Sequence, residues 1–193
     1  MSVDKKYLST LKKHFLSYAE KRRDVIKMSD DALHQAKRAI FAMHRDDMKE
    51  AKEKLEASEK GFIALSKKYK NDKQVQAEGA FRAGLEEYVE AALFMQFLQN
   101  GKIGKVSVSG IEISAESYAA GLCDVPGELY RYAIKSATVG DVKMVKKCAE
   151  VAQEISGELI EFNLTKYLRN KFDQAKSAVQ KLEKVVYEVS LKG

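Results

Sequence analysis

Apolar residues recur at intervals of three and four over most of the chain, the spacing of one face of a helix. The first apolar stripe runs through residues 4–45 and predicts one long helix, or two helices in line. Asp46 and Asp47 are typical N-cap residues, and they precede a second stripe over 48–69. The first third of the chain is therefore expected to form two long helices.

The middle of the chain contains a third stripe and one segment of a different period. Asn71 and Asp72 break the second helix, and a third is expected over about 73–99. In 102–113, apolar residues alternate with polar ones around a Ser-Gly pair, which predicts a short hairpin or an ordered loop. Because an isolated hairpin is marginally stable, this segment is expected to lean on the helices.

Three more helices are predicted over about 114–136, 142–162 and 164–191. Pro126 lies inside the first of them, where a proline removes a backbone hydrogen bond and clashes with the preceding turn. A kink is therefore expected within a turn of Asp124. The chain has no internal repeat and no linker, so residues 1–193 predict a single all-α domain, a bundle of about six or seven helices.

The composition supports a helical protein in a reducing compartment. The chain contains one proline and no tryptophan, and no apolar run approaches the roughly 20 residues that a membrane span needs. The N-terminus lacks the apolar run of a signal peptide. Cys123 and Cys148 have neither metal-ligand spacing nor a disulfide framework. We therefore expect a cytoplasmic protein with no membrane association.

Charge is distributed unevenly along the chain. The net charge is +7 over residues 1–70, −5 over 71–130 and +4 over 131–193, within a total of +6. Basic flanks favour a polyanionic partner, whereas an acidic middle favours carboxylates gathered for metal binding or acid–base chemistry. A solvated helical surface with uneven charge is the alternative.

Four acids in the middle region are candidates for a catalytic metal site. Glu87 and Glu90 are three residues apart, and Asp124 and Glu128 are four apart, so each pair lies on one face of its helix. Both pairs have apolar neighbours. If the two helices pack face to face, the four carboxylates repel one another unless a cation lies between them.

Carboxylate oxygens are the ligands that Mg²⁺ prefers, and Mn²⁺ is the alternative ion. A metal held there could activate water and stabilise a phosphoryl transition state. The competing interpretation is structural, with the acids paired to Arg82, Arg131 and Lys135 in ion pairs. Spacing alone does not decide between the two.

The candidate nucleic-acid contacts lie on the first helix. Lys37 and Arg38 are followed within two turns by His44 and Arg45, with Phe41 between them. Cations interleaved with aromatic rings suit phosphate contact and base stacking on a single strand. A solvated lysine-rich face is the alternative. The three histidines are far apart in sequence, and each is expected at the surface or facing nucleic acid rather than as a metal ligand.

Several of these segments resemble the translin-associated factor X family. The first helix carries the resemblance in 23–29 and 37–45, and the acidic segments carry it in 84–91 and 118–129. Residues 181–193 look more like translin itself. The matches are colinear over nearly the whole chain.

The resemblance implies a translin-like helical fold and a hollow homo-octameric shell that binds single-stranded RNA or DNA inside. It implies that Glu87, Glu90 and Asp124 are catalytic, that Glu128 joins them as a metal ligand, and that the activity is a Mg²⁺-dependent endoribonuclease. A second, translin-type subunit is a further partner that the family suggests. The alternatives are a non-catalytic single-strand binder and a helical scaffold for an acidic protein.

Overall fold

The computed structural model describes residues 3–70 and 72–191, and these residues contain seven helices. They are α1 (Lys5–His44), α2 (Met48–Lys68), α3 (Lys73–Gln76), α4 (Gly79–Asn100), α5 (Ala115–Thr138), α6 (Val142–Ile160) and α7 (Lys166–Ser190). No strand occurs in these residues, so the all-α prediction is confirmed.

Aspartate caps fix where four of the helices begin. The side chains of Asp4, Asp47, Asp72 and Asp141 accept hydrogen bonds from backbone N–H groups in the first turns of α1, α2, α3 and α6. These bonds satisfy donors that have no partner within the helix. α1 is one uninterrupted helix of 40 residues, which settles the choice between one helix and two.

The predicted third helix is interrupted, which corrects the expectation of one helix over 73–99. The chain leaves the helical conformation at Glu78, which has extended backbone angles. Its carboxylate accepts hydrogen bonds from the Tyr18 hydroxyl at 2.5 Å and from Arg22 at 3.1 Å, both on α1. These contacts with a distant helix hold the segment between α3 and α4 open. Asn71, expected to break α2, lies outside the described residues.

The segment over 102–113 is an ordered loop rather than a hairpin. One isolated antiparallel bridge joins Val108 and Ile111. The loop leans on its neighbouring helices, as expected: the Gly104 N–H donates to the Gln96 side chain at 2.8 Å, and the Tyr118 hydroxyl donates to the Gly104 carbonyl at 2.8 Å.

α4 joins the two halves of the bundle, because it packs on α1 on one side and on α5 on the other. Gly121 of α5 permits the second contact. A Cβ atom there would lie 2.6 Å from the Glu86 carbonyl oxygen and 2.8 Å from Val89 on α4. α5 continues through Pro126. The kink near Asp124 stays a prediction.

The first five turns of α1 extend away from this core. Its first fully buried side chain is Val25. Several large apolar side chains before it are exposed, namely Tyr7, Leu8, Phe15 and Leu16. None of the helices in residues 3–70 and 72–191 combines the length and the apolar character needed to cross a membrane.

Candidate functional site

The packing of α4 against α5 brings the predicted acids together. Glu87 and Glu90 lie on α4 and Asp124 and Glu128 on α5, and these four side chains are called the acidic cluster below. Their proximity is seen at Glu90, whose ionisation is opposed by the charges of the other three. α4 packs against α5, and the metal site that the sequence predicts at these four acids stays a prediction.

Glu90 is the most enclosed member of the acidic cluster. Its exposed fraction is 7%, and it makes no hydrogen bond or ion pair with another described residue. Burial raises the pKa of Glu90 well above its usual value, and the neighbouring acids raise it further. A buried carboxylate without a partner is costly, so this group is poised to receive a proton or a cation.

Glu87 and Asp124 are partly buried and have one cation each. Burial raises the pKa of Glu87, against the attraction of Lys37, whose Nζ lies 3.8 Å from the Glu87 carboxylate. Burial likewise raises the pKa of Asp124, against a hydrogen bond from Lys171. Both carboxylates are therefore easier to protonate than exposed ones.

Lys171 of α7 is a site residue that the sequence analysis missed. Its ammonium donates to Asp124 and lies 3.7 Å from Glu86, which also accepts a hydrogen bond from the Tyr167 hydroxyl at 2.7 Å. Burial lowers the pKa of Lys171, but the bond to Asp124 outweighs this and the net shift is upward. Lys171 is therefore a permanent cation at the edge of the acidic cluster.

Glu128 differs from the other acids because an imidazole and a guanidinium hold it. His44 Nε2 lies 2.5 Å from its carboxylate, and the Arg131 guanidinium donates to it at 3.0 Å. Burial raises the pKa of Glu128, but these partners bring it below its usual value. Glu128 therefore stays ionised.

His44 was expected at the surface or facing nucleic acid. Its side chain is only 12% exposed and its ring lies 5.2 Å from that of Phe94, so it is not a surface residue, and its contact with nucleic acid stays a prediction. His14 and His34 are exposed, as expected.

The other predicted nucleic-acid contacts border the acidic cluster or lie beyond it. Lys37 is exposed next to Glu87, and Arg38 is exposed with no ion pair to another described residue. Arg45 is bound to Glu50 at 2.6 Å. Phe41 is an exposed ring, with the Arg131 guanidinium 5.5 Å from its centre. Cations and an aromatic face thus lie at the surface beside the acids.

The structural alternative for the acids holds only in part. Arg131 pairs with Glu128 as it predicts, but Lys135 pairs with Asp46 at 2.5 Å instead. Arg82 forms no ion pair with any residue that the structure describes.

The acidic cluster fits a hard divalent cation by the chemistry of its donors. It offers carboxylate oxygens, which Mg²⁺ and Mn²⁺ prefer, and the buried Glu90 carboxylate lacks any other partner. Throughout residues 3–70 and 72–191, however, no three His, Cys, Asp or Glu side chains are already arranged to hold a metal ion. The donors would have to draw together around the ion.

A model of the translin family matches residues 20–193. Among curated proteins, the chain is similar to the translin-associated protein X homolog of Schizosaccharomyces pombe, with 24% identity over 90% of this chain and 82% of that protein. It is also similar to translin of Gallus gallus, with 27% identity over 67% of this chain and 62% of that protein.

Two solved structures have the same fold. The crystal structure of AfC3PO superimposes with a TM-score of 0.86 at 20% identity, over 96% of this chain and 98% of that one. The complex of AfC3PO with duplex RNA gives a TM-score of 0.82 at 21% identity, over 96% and 97% of the two chains.

Proposed function

The chain belongs to the translin family, and from that membership we propose that it is a Mg²⁺-dependent endoribonuclease of single-stranded RNA, with single-stranded DNA as a second substrate class. The observation that carries the proposal is the buried, unpartnered carboxylate of Glu90, enclosed by three further acids. A fold gains no stability from such an arrangement. It is useful to a protein that gathers carboxylates around a cation.

In this proposal Glu87, Glu90 and Asp124 hold Mg²⁺ or Mn²⁺, with Glu128 beside them. A bound divalent ion lowers the pKa of water and neutralises charge on a scissile phosphate. Because burial raises the pKa of Glu87, Glu90 and Asp124, protons would compete with the ion for these carboxylates as the pH falls. His44 and Arg131 keep Glu128 ionised and fix its orientation.

The exposed cations of α1 bind the strand in this proposal. Lys37 and Arg38 lie at the surface beside the acidic cluster, where they can contact phosphates on either side of the bond to be cut. Arg45 adds a third cation, although it must leave Glu50 to do so. The exposed ring of Phe41 provides a face on which a base can stack.

RNA as the substrate is supported by the related AfC3PO, which was solved in complex with duplex RNA. Within a closed shell only flexible strands or short ends could reach the acids, so duplex RNA is expected to be cut more slowly than single strands. Duplex of the same sequence is therefore the comparison substrate.

Self-association is part of the proposal. The exposed apolar side chains on the first turns of α1 provide a surface that another chain could cover. We propose a homo-octamer, with a second translin-type subunit as the alternative partner. Sedimentation at micromolar concentration would give an octameric mass, and a monomer at that concentration would contradict the shell.

Asp124→Ala tests the activity and the site together. A labelled single strand of RNA, about 20–30 nucleotides long, is incubated with Mg²⁺ or with EDTA. Wild type should give Mg²⁺-dependent products, and the variant should cut at least about a hundredfold more slowly. Binding of the same strand in EDTA should be unchanged, since Asp124 contacts the metal rather than the strand.

Asp173→Asn is the matched control, because Asp173 is an exposed acid on α7 whose partners are Arg169 and Lys176. Cleavage by this variant should equal that of wild type. Full activity in both Asp124→Ala and Glu90→Ala would show that the site is assigned wrongly.

A second function, non-catalytic binding of single strands, is favoured by one observation. Lys171 already pairs with Asp124, and His44 and Arg131 already hold Glu128, so these two acids have partners without a metal. A binder of this kind would show salt-dependent affinity for the strand and no products in either Mg²⁺ or EDTA.

A further inference from the structure

We propose that Lys171 is a built-in cation that competes with the divalent ion for Asp124 and thereby sets the affinity of the acidic cluster for metal. This inference rests on the proposed function, since it concerns the same carboxylates. It assigns Lys171 as a positioning residue. Its ammonium holds Asp124 while the metal is absent and opposes a metal at that carboxylate until it moves to another acceptor.

The first support is the location of the ammonium. Lys171 donates directly to Asp124, and its side chain is 15% exposed. The other two side chains with permanent positive charge at the acidic cluster, Lys37 and Arg131, are 51% and 46% exposed, so water screens them more. Lys171 is therefore the strongest competitor of a metal ion there.

The second support is the chemistry of the shared carboxylate. The Asp124 carboxylate accepts the hydrogen bond from Lys171, so a metal bound to the same carboxylate would lie close to the ammonium. Two cations at one carboxylate also repel each other. Binding of a divalent ion to that carboxylate is thus favoured when the ammonium moves away.

The third support is a second acceptor for the displaced ammonium. Glu86 lies 3.7 Å from the Lys171 Nζ, and its carboxylate is held in place by the Tyr167 hydroxyl at 2.7 Å. Lys171 also lies 5.4 Å from the centre of the Tyr167 ring. The ammonium can therefore leave Asp124 and keep a charged partner with a small movement of its own side chain.

The Lys171→Met variant tests the proposal, because methionine keeps an unbranched side chain and removes the charge. Calorimetric titration with Mn²⁺ should show about tenfold tighter binding than in wild type, since an opposing cation has gone from Asp124. Thermal unfolding in EDTA should occur at a lower temperature, because Asp124 has lost its partner. Mn²⁺ should then raise the unfolding temperature more than it does in wild type.

Two further variants complete the test. Lys176→Met is the matched control, because Lys176 lies on the same helix and its ammonium pairs with the exposed Asp173 at 2.7 Å. Its Mn²⁺ affinity should equal that of wild type. Lys171→Gln keeps a hydrogen-bond donor for Asp124 without the charge, so it should also bind Mn²⁺ more tightly even if the methionine variant folds poorly.

The outcomes separate this inference from the proposed function. Equal or weaker Mn²⁺ binding in both Lys171 variants overturns the competition, while the metal site stands if Asp124→Ala abolishes binding. Unchanged binding in Asp124→Ala shows that the ion binds elsewhere and overturns the site as well. Absence of Mn²⁺ binding in every variant and in wild type overturns both.

Discussion

Two groups of acids in this molecule have opposite relations to their surroundings. At the α1–α2 packing surface, Asp24 accepts hydrogen bonds from Lys68 at 2.5 Å and from the Tyr69 hydroxyl at 2.6 Å, and these bonds lower its pKa. In the acidic cluster, burial and neighbouring acids raise the pKa of Glu90, which has no partner. The ionised carboxylate is thus stabilised at Asp24 and destabilised at Glu90.

The contrast separates acids that are paired within the fold from acids that are available to bind a ligand. A paired carboxylate near the surface contributes a little to folding and leaves nothing for a ligand to gain. A buried carboxylate among other acids opposes folding, and that cost is relieved only by a proton or a cation. The acidic cluster is therefore the part of the molecule where ligand binding can change stability most.

Gly121→Ala is expected to have the largest effect on the acidic cluster. The added Cβ would meet the Glu86 carbonyl at 2.6 Å and force α4 and α5 apart. We expect a loss of about 1–3 kcal/mol in the free energy of unfolding, measured with urea. Gly127→Ala is the control on the same helix, since its Cβ meets nothing within 4 Å and should be neutral or stabilising. Equal stability of the two variants would contradict the close approach of the helices.

Glu90→Gln should stabilise the metal-free protein by about 1–3 kcal/mol at pH 8, because it removes a buried charge. The pKa of Glu90 is raised in the folded state, so the contribution of Glu90 to wild-type stability is fully present below the usual value of 4.5 and is lost as the pH rises through the folded pKa. The gain should therefore shrink towards pH 4.5 in urea unfolding.

Glu128→Gln provides the opposite case for the same measurement. Its pKa is lowered by His44 and Arg131, so the substitution should destabilise the protein at neutral pH. A loss of stability in both glutamine variants would remove the distinction between Glu90 and its neighbour.

Asp24→Asn should have the smallest effect, a loss of about 0.2–1 kcal/mol at pH 7. The pKa of Asp24 is lowered in the folded state, so its contribution is present above the usual value of 3.8 and is lost as the pH falls through the folded pKa. Thermal unfolding at low and high salt tests whether the lost stability is electrostatic, since about 1 M salt should reduce the difference in stability between Asp24→Asn and wild type. A stabilising effect at neutral pH would make Asp24 resemble Glu90 and end the contrast.

Local pattern predicted most of the fold. Helical spacing located the long helices, and the aspartate caps at Asp47 and Asp141 fixed two of their beginnings. The break at Glu78 could not be read locally, because it depends on Tyr18 and Arg22 some 60 residues earlier in the chain. The contacts of Glu78 with α1 therefore interrupt a helix that the apolar periodicity predicted as continuous.

The candidate site likewise contains some features that local sequence predicted and others that it could not. Spacing within a helix placed each pair of acids on one face, which needed only the helical period. Two partners of those acids come from other helices: His44 is 84 residues from Glu128, and Lys171 is 47 residues from Asp124. Lys171 is one of several lysines on an amphipathic helix. Nothing in its local sequence distinguishes it from Lys176 as a partner of Asp124.

The position of Lys171 on the last helix has a consequence for synthesis of the protein. α4 and α5 are complete when the ribosome has made Thr138, whereas Lys171 is added 33 residues later (171 − 138). At about 5–20 residues per second, the nascent chain spends seconds with both carboxylate helices made and without this lysine. Until α7 has been made and has packed on α5, protons and dissolved cations take the place of this lysine at Asp124.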